Sequence, residues 1–399
     1  MMQRRDFLLG SAAATAALWA APALAQDDPW GRSLGFPSGW GAPPNFEGNT
    51  QYRAGNYSGG FETMFPFHRI AAPPTASPLQ LDLRDGLRAS SGQSLEDYMK
   101  AWPVTGFLVA RRGRILVERH GFERKPEMRM TSWSMAKSVT SLLLGLCLDK
   151  GLIESLDDLP EKYVESLKGT VHGQTALRHL ANMSSGAQIL HNRDNSTIYP
   201  RAFLGRASDL EPVVREWNWR QDPAGARFNY NELCPLTIGM VIRQVTGRGM
   251  AEFCAEQLWQ PMGAEAEATW LTDSKKKEFN CIGFGARLRD WARLGQLVAQ
   301  NGAMGGRQIV STQWINECAS WSAKDVQVRS GGAGTGMGYK CFFWHPRSDG
   351  SWMMMLGHHG QVVLVDRKSE TVLVHTALEH KGDWRRELFA LFAAATAWG

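Results

Sequence analysis

The chain has 399 residues, 43% hydrophobic and 21% charged, which suits a globular protein of about two or three domains and excludes a disordered chain or a fibre. A net charge of +5 is too slight to argue for nucleic acid as a partner. The six cysteines include no Cys-x-x-Cys pair and none near a zinc-spaced histidine pair, so they read as structural thiols and no metal is expected.

Residues 1–25 read as a signal peptide. Arg4-Arg5-Asp6-Phe7-Leu8 opens the chain, an Ala/Leu-rich stretch follows, and Ala23-Leu24-Ala25 supplies small residues for cleavage. Paired arginines before Phe-Leu resemble a twin-arginine signal, the address read by the machinery that exports folded proteins. Cleavage after Ala25 predicts a periplasmic protein with no stable membrane anchor, since no later segment has 18 uninterrupted apolar residues. Residues 26–80 are rich in Gly, Pro, Asn and Trp without a period, so an irregular arm is expected over 26–99.

Residues 104–110 and 114–120 flank Arg111-Arg112-Gly113 and predict a β-hairpin. From Ser134 to about Asp149 the chain is apolar on almost every side, so a central buried helix is expected, stopped by Gly151. Residues 152–330 read as helices and loops, with helices at 177–182, 236–245, 250–258, 288–300 and 312–319. Strand patterns return at 339–344, 352–356, 362–365 and 372–376, before a closing helix over about 384–395. Early and late strands most simply share one antiparallel sheet, which makes an α+β body with a helical insertion.

Three elements carry chemistry. Ser134 and Lys137 stand at i and i+3, on one face of the buried helix and in its first turn, beside unpaired N–H groups. A serine so placed needs a base, and a desolvated lysine of lowered pKa can be one. Ser274 and Lys277 repeat the spacing, but in a run of charges with no apolar helix behind it. Tyr230, in a turn before a helix, can aim its hydroxyl into a cleft and shuttle protons beside a lysine. Gly357-His358-His359-Gly360-Gln361 lies between two strands, where glycine flanks let a backbone N–H approach a developing oxyanion. Two other patterns fail by context. Gly31-Arg32-Ser33-Leu34-Gly35 has no strand before it, and the glycine run 331–336 opens no helix.

In this order the elements resemble the serine β-lactamase-like superfamily of penicillin-recognising hydrolases. The likeness spans roughly residues 100–395. Trp133 to Ser138 is similar to its nucleophile motif, Phe228 to Asn231 to its tyrosine motif, Gly285 to Gly295 to a structural helix, and Gly357 to Asp366 to its third motif and strand. Within the superfamily the chain is most similar to the 6-aminohexanoate-dimer hydrolase branch, through Asn56-Tyr57-Ser58, Phe65 to Ile70 and the Gly-His-His-Gly-Gln run.

The resemblance implies a β-lactamase/transpeptidase-like α+β fold: an antiparallel sheet flanked by helices, with an inserted all-helical domain. Residues 100–399 would form the hydrolase domain, with sheet parts at about 100–133 and 335–399 and the insertion at about 150–330. It also implies a serine hydrolase, cleaving an ester or amide of a small molecule through an acyl-enzyme on Ser134. Lys137 and Tyr230 would be its bases. The Ser134 N–H would hold the oxyanion with that of either His358 or Gln361. His359, Asn192, Gly360 and Gln361 would bind substrate, and no cofactor is implied.

Three departures bear on substrate. Glu232 stands where class C enzymes carry the asparagine of Tyr-x-Asn, Asn192 where the dimer hydrolases carry a substrate-binding tyrosine, and no Lys-Thr-Gly or Lys-Ser-Gly occurs. In β-lactam-recognising members that lysine helps hold the substrate carboxylate. Esterase or dimer-hydrolase-like activity is therefore expected ahead of a β-lactamase or D-alanyl carboxypeptidase. A non-catalytic binding module of the same fold is the remaining alternative, and the presence of Ser134, Lys137 and Tyr230 speaks against it.

Overall fold

The computed structural model describes residue 62 and residues 65–204, 206–328, 336–378 and 382–398. The signal segment, Asn56-Tyr57-Ser58 and most of the 331–336 glycine run lie outside these. The described chain begins with β1 (Phe67–Ile70), β2 (Gln80–Leu81), α1 (Leu95–Ala101), β3 (Val104–Arg111), β4 (Arg114–His120) and β5 (Arg129–Thr131). Its middle holds α2 (Met135–Asp149), α3 (Leu177–Ala181), α4 (His191–Tyr199), α5 (Leu210–Glu216), α6 (Leu233–Thr246) and α7 (Met250–Cys254). Next come β6 (Ala268–Leu271), β7 (Phe284–Arg287), α8 (Leu288–Ala299), the small hairpin β8 (Ala303–Met304) and β9 (Arg307–Gln308), and α9 (Thr312–Ala319). The chain closes with β10 (Gly338–Lys340), β11 (Phe343–His345), β12 (Trp352–Gly357), β13 (Gln361–Asp366), β14 (Thr371–Ala377) and α10 (Trp384–Ala397).

The main sheet has the order β10-β11-β12-β13-β14-β3-β4-β2 and is antiparallel except where β2 runs parallel to β4. Early and late strands meet at β3 and β14, where Leu108 faces Val374 and Ala110 faces Val372. Because successive side chains alternate faces, these strands feed two cores. Leu108, Ala110, Val363, Val365, Val372 and Val374 join the larger core on the α8 side. Phe107, Val109, Val362, Leu364 and Leu373 pack with Leu388, Leu391 and Phe392 of α10 on the other side. Both faces are covered, which is why these strands read as continuous apolar runs rather than as an alternation.

The inserted part is not all-helical. It supplies β6 and β7, which pair with β1 and β5 from earlier in the chain to make a second sheet, β1-β6-β7-β5, of four-residue and three-residue strands. Ala268-Thr269-Trp270-Leu271 is buried throughout, and so short a run shows no period that separates strand from helix. Part of the supposed irregular arm is regular as well. Phe67 to Ile70 pairs with β6, and α1 is started by Ser94, whose side chain accepts from the Asp97 N–H in a capping box.

Helix α2 is buried from Met135 to Cys147 and runs through the larger core beside α6. All six cysteines are free and buried, as their sequence settings suggested. Among the described residues no helix is long and apolar enough to cross a membrane.

Candidate active site

The first turn of α2 is fixed by the residue pair before it. Ser132 is tied to β7 by one backbone and one side-chain hydrogen bond: its N–H donates to Phe284 O at 2.8 Å, and its Oγ accepts from the Phe284 N–H at 2.9 Å. Trp133 then takes a left-handed conformation, φ +43°. For a bulky residue that costs about 1–3 kcal/mol, and such strain persists only where packing over-determines it. Ser134 follows as the last residue before the helix, and among the described residues no backbone acceptor takes its N–H.

Lys137 lies one turn on. Its Nζ donates to Ser134 Oγ at 2.9 Å and to the Cys281 carbonyl at 3.0 Å. The same Nζ lies 2.6 Å from Glu232 Oε2, and each of the two side chains is only 1% exposed. This contact is an ion pair rather than an aligned hydrogen bond. Burial alone would depress the Lys137 pKa, but the Glu232 charge overrides it and the net shift is upward. The sequence expectation of a lysine neutralised by desolvation is thereby corrected. The fold supplies a buried counter-charge that an apolar helix does not reveal. Burial likewise disfavours the Glu232 carboxylate, yet Lys137 holds its pKa below the ordinary value. Glu232 is also the N-cap residue of α6, where the helix dipole favours negative charge.

The Tyr230 turn is anchored on both sides. Asn229 N–H donates to Met183 O at 2.6 Å, and Asn231 Oδ1 accepts from the Cys234 N–H at 3.0 Å in the first turn of α6. Tyr230 stacks on Trp344 with centroids 5.8 Å apart, and Lys137 Nζ sits 5.0 Å from its ring centroid. Burial pushes the phenol pKa up, against Lys137 and a hydrogen bond with Ser134 that pull it down; the net direction is up.

The third motif reaches the same place because Gly357 has no side chain. A Cβ there would collide with the Ser132 carbonyl and press on Trp133 Cβ, so β12 can end directly against the turn that leads into Ser134. Of the two oxyanion alternatives, the Gln361 N–H is engaged with His358 O, whereas His358 lines the cavity.

The cavity has a volume of about 560 Å³, and its walls include Ser134, His191, Tyr230, Glu232, Trp344 and Arg385. Gly360 also lines it. His359 and Gln361 do not. The Gln361 side chain turns away, donating to His359 O at 2.9 Å and Ala377 O at 2.8 Å, so it clamps the β12–β13 turn onto β14. The His359 ring packs 5.5 Å from that of Trp133, from a left-handed backbone at φ +56°. Asn192 falls in the first turn of α4, and its side chain lies outside the described ones.

Sequence reasoning missed the contribution of α4. His191, Asn195 and Tyr199, spaced four apart, all line the cavity. Tyr199 donates to Glu232 Oε1 at 3.1 Å, and the His191 ring meets Tyr230 edge-on at 5.2 Å. The four-residue spacing was the available signal, hidden in a polar segment of low helical propensity. The second serine–lysine pair is elsewhere: Ser274 is exposed, and Lys277 lies 2.9 Å from Glu211. Among the described residues no group of three or more His, Cys, Asp or Glu side chains is arranged to hold a metal ion.

A family model described as Beta-lactamase matches residues 92–390. The chain belongs to the beta-lactamase family. Among curated relatives, this family member is 23% identical over 331 residues to the 6-aminohexanoate-dimer hydrolase of Paenarthrobacter ureafaciens, covering 78% of this chain and 82% of that one. Among solved structures, a 6-aminohexanoate-dimer hydrolase homologue from Bacillus anthracis superposes with a TM-score of 0.74 at 21% identity, over 87% of this chain and 93% of the other. A family VIII carboxylesterase superposes with a TM-score of 0.57 at 17% identity, over 78% and 99%. The fold is that of the β-lactamase-like hydrolases, and the chain is homologous to hydrolases of that superfamily.

Proposed function

We propose that the protein is a serine hydrolase that cleaves an ester or simple amide of a small molecule through an acyl-enzyme on Ser134. The observation that carries this reading is the 2.9 Å hydrogen bond from Lys137 Nζ to Ser134 Oγ at the start of a buried helix, open to a cavity. Ser134 attacks the carbonyl carbon. The N–H groups of Ser134 and His358 receive the oxyanion, and Lys137 with Tyr230 moves the proton from the nucleophile to the leaving group. Water then releases the acyl group by the reverse use of the same residues. Its relatives named for the 6-aminohexanoate dimer and for carboxylic esters support an amide or ester substrate. Arg385 adds a cation to the cavity wall, and its buried Nε has no hydrogen-bond partner among the described residues, so an acidic end on the substrate is accommodated there.

The test is labelling by a fluorophosphonate, followed by hydrolysis assays on p-nitrophenyl esters, 6-aminohexanoate dimer and nitrocefin. The adduct is expected on Ser134, and Ser134→Ala should abolish labelling and turnover in a folded protein. An adduct on another residue, or unchanged turnover in Ser134→Ala, overturns the assignment.

A further inference from the structure

We propose that Glu232 is the terminal proton acceptor of acylation, reached from Ser134 through Lys137. The inference rests on the serine-hydrolase reading and assigns a role to the residue that replaces the family's asparagine. The argument is a proton inventory of the groups around Ser134. Lys137 Nζ faces three oxygens, on Ser134 at 2.9 Å, Cys281 at 3.0 Å and Glu232 at 2.6 Å. An ammonium has three N–H donors and no lone pair; Ser134 and Cys281 each accept a hydrogen bond from it, and the Glu232 carboxylate closes the third side as an ion pair. Held as a cation, it cannot itself take the serine proton. Tyr230 is a neutral phenol, raised by burial, and offers only a weak base. Tyr199 is raised further and donates to Glu232 Oε1. The Cys281 thiol is also raised well above its ordinary value by burial. His191, kept neutral by burial, reaches the site through the Tyr230 ring, and no hydrogen bond joins it to Lys137 or Ser134 among the described residues. The Glu232 carboxylate is thus the one strongly proton-poor group in contact with Lys137.

The step balances. As Ser134 Oγ bonds to the acyl carbon, its proton passes to Lys137 Nζ, while Lys137 gives one of its own to Glu232 Oε2. Lys137 remains an ammonium, Glu232 becomes a neutral acid, and the oxyanion carries the negative charge. When the tetrahedral intermediate collapses, the bond to the leaving group breaks. The proton then returns from Glu232 through Lys137 to the departing oxygen or nitrogen, with Tyr230 in hydrogen-bonding reach of the same serine. Charge separation in the buried site stays small, because the negative charge moves from Glu232 to an oxyanion that two N–H donors can hold.

Two measurements test this. In the wild type, kcat/KM for p-nitrophenyl butyrate should fall on the acid side with an apparent pKa below that of an ordinary glutamate, about 4.3. A lysine base instead gives a rate that climbs towards the lysine range. Glu232→Gln keeps the shape and removes the acceptor. It should lower kcat/KM at pH 7 by roughly 10²–10⁴-fold. The remaining activity should rise with pH, as a buried Lys137 without its counter-charge loses its proton and becomes the base. Glu232→Asp should recover part of the neutral-pH rate. Where Glu232→Gln fails to fold, the wild-type acid limb decides alone. Labelling of Ser134 in the wild type, together with a Glu232→Gln variant of unchanged rate and pH profile, overturns this inference and leaves the serine-hydrolase reading standing. A wild type without labelling at Ser134 overturns both.

Discussion

Lys137 and Glu232 form an ion pair 2.6 Å apart from which solvent is excluded on both sides. Taking either charge out of water costs several kcal/mol, so each is tolerable only because the other is there. The pair therefore ties the integrity of the core to the chemistry of the site, and it can be probed through stability as well as through rate.

Lys137→Met preserves most of the volume and strands the Glu232 carboxylate. Breaking a buried pair in this way costs about 3–5 kcal/mol, so the midpoint of denaturant unfolding at pH 7 should drop clearly. The sign with pH follows from the carboxylate. In the wild type, Lys137 holds the folded pKa of Glu232 below its unfolded value. The associated stability is present above the unfolded pKa, and is lost as pH falls through the folded one. In Lys137→Met, burial alone acts and raises the folded pKa. The penalty is then full at neutral pH and fades as acid protonates Glu232. The double variant Lys137→Met/Glu232→Gln should be more stable at pH 7 than Lys137→Met alone. Equal stabilities for the two at pH 7 would contradict the coupling.

The parts of this arrangement legible in the sequence were those carried by local pattern. Ser134 with Lys137 shows itself by helical spacing at the head of an apolar run, and Gly357 by its place between two strand patterns. Tyr230 is visible through the turn that precedes α6. What escaped is set by long-range contact. Glu232 looks like an acid at a helix start, and only the packing of α6 beside α2 turns it into the counter-charge of Lys137. The same applies to Gln361: its sequence neighbours suggest a substrate contact, but register with β14 points its amide at the Ala377 carbonyl. The small sheet was missed because its strands are too short to show a period.

The N-terminal segment yields a separate expectation, independent of the fold. Arg4-Arg5 before an apolar stretch and Ala23-Leu24-Ala25 motivates the proposal of twin-arginine export to the periplasm. Replacing Arg4 and Arg5 by lysine should hold the precursor in the cytoplasm, where fractionation and immunoblotting would find it at its uncleaved size. Undiminished periplasmic accumulation of the lysine variant would refute the route.

Arg385 bears on which substrates the cavity accepts. The missing third-motif lysine favours neutral esters over β-lactams, unless another cation meets the substrate carboxylate. Arg385 lines the cavity, near the start of α10. Its guanidinium carbon lies 5.4 Å from the Trp384 ring centroid, and its Nε is buried without a hydrogen-bond partner. A carboxylate brought to this group gains a charge-assisted contact of roughly 1.5–3 kcal/mol, one to two powers of ten in affinity. Arg385→Met should therefore lower kcat/KM for mono-p-nitrophenyl glutarate by about 10–100-fold. It should leave p-nitrophenyl butyrate, which carries no acid, within about twofold. In the wild type, p-nitrophenyl butyrate should still exceed nitrocefin. The Arg385 contact comes from α10 instead of the third-motif strand, so the rigid β-lactam carboxylate has to suit a cation in a different place, whereas a flexible acyl chain can bend to it. An equal loss on both esters would assign Arg385 to packing against Trp384. A higher kcat/KM for nitrocefin than for the butyrate would return a β-lactam to first place as substrate.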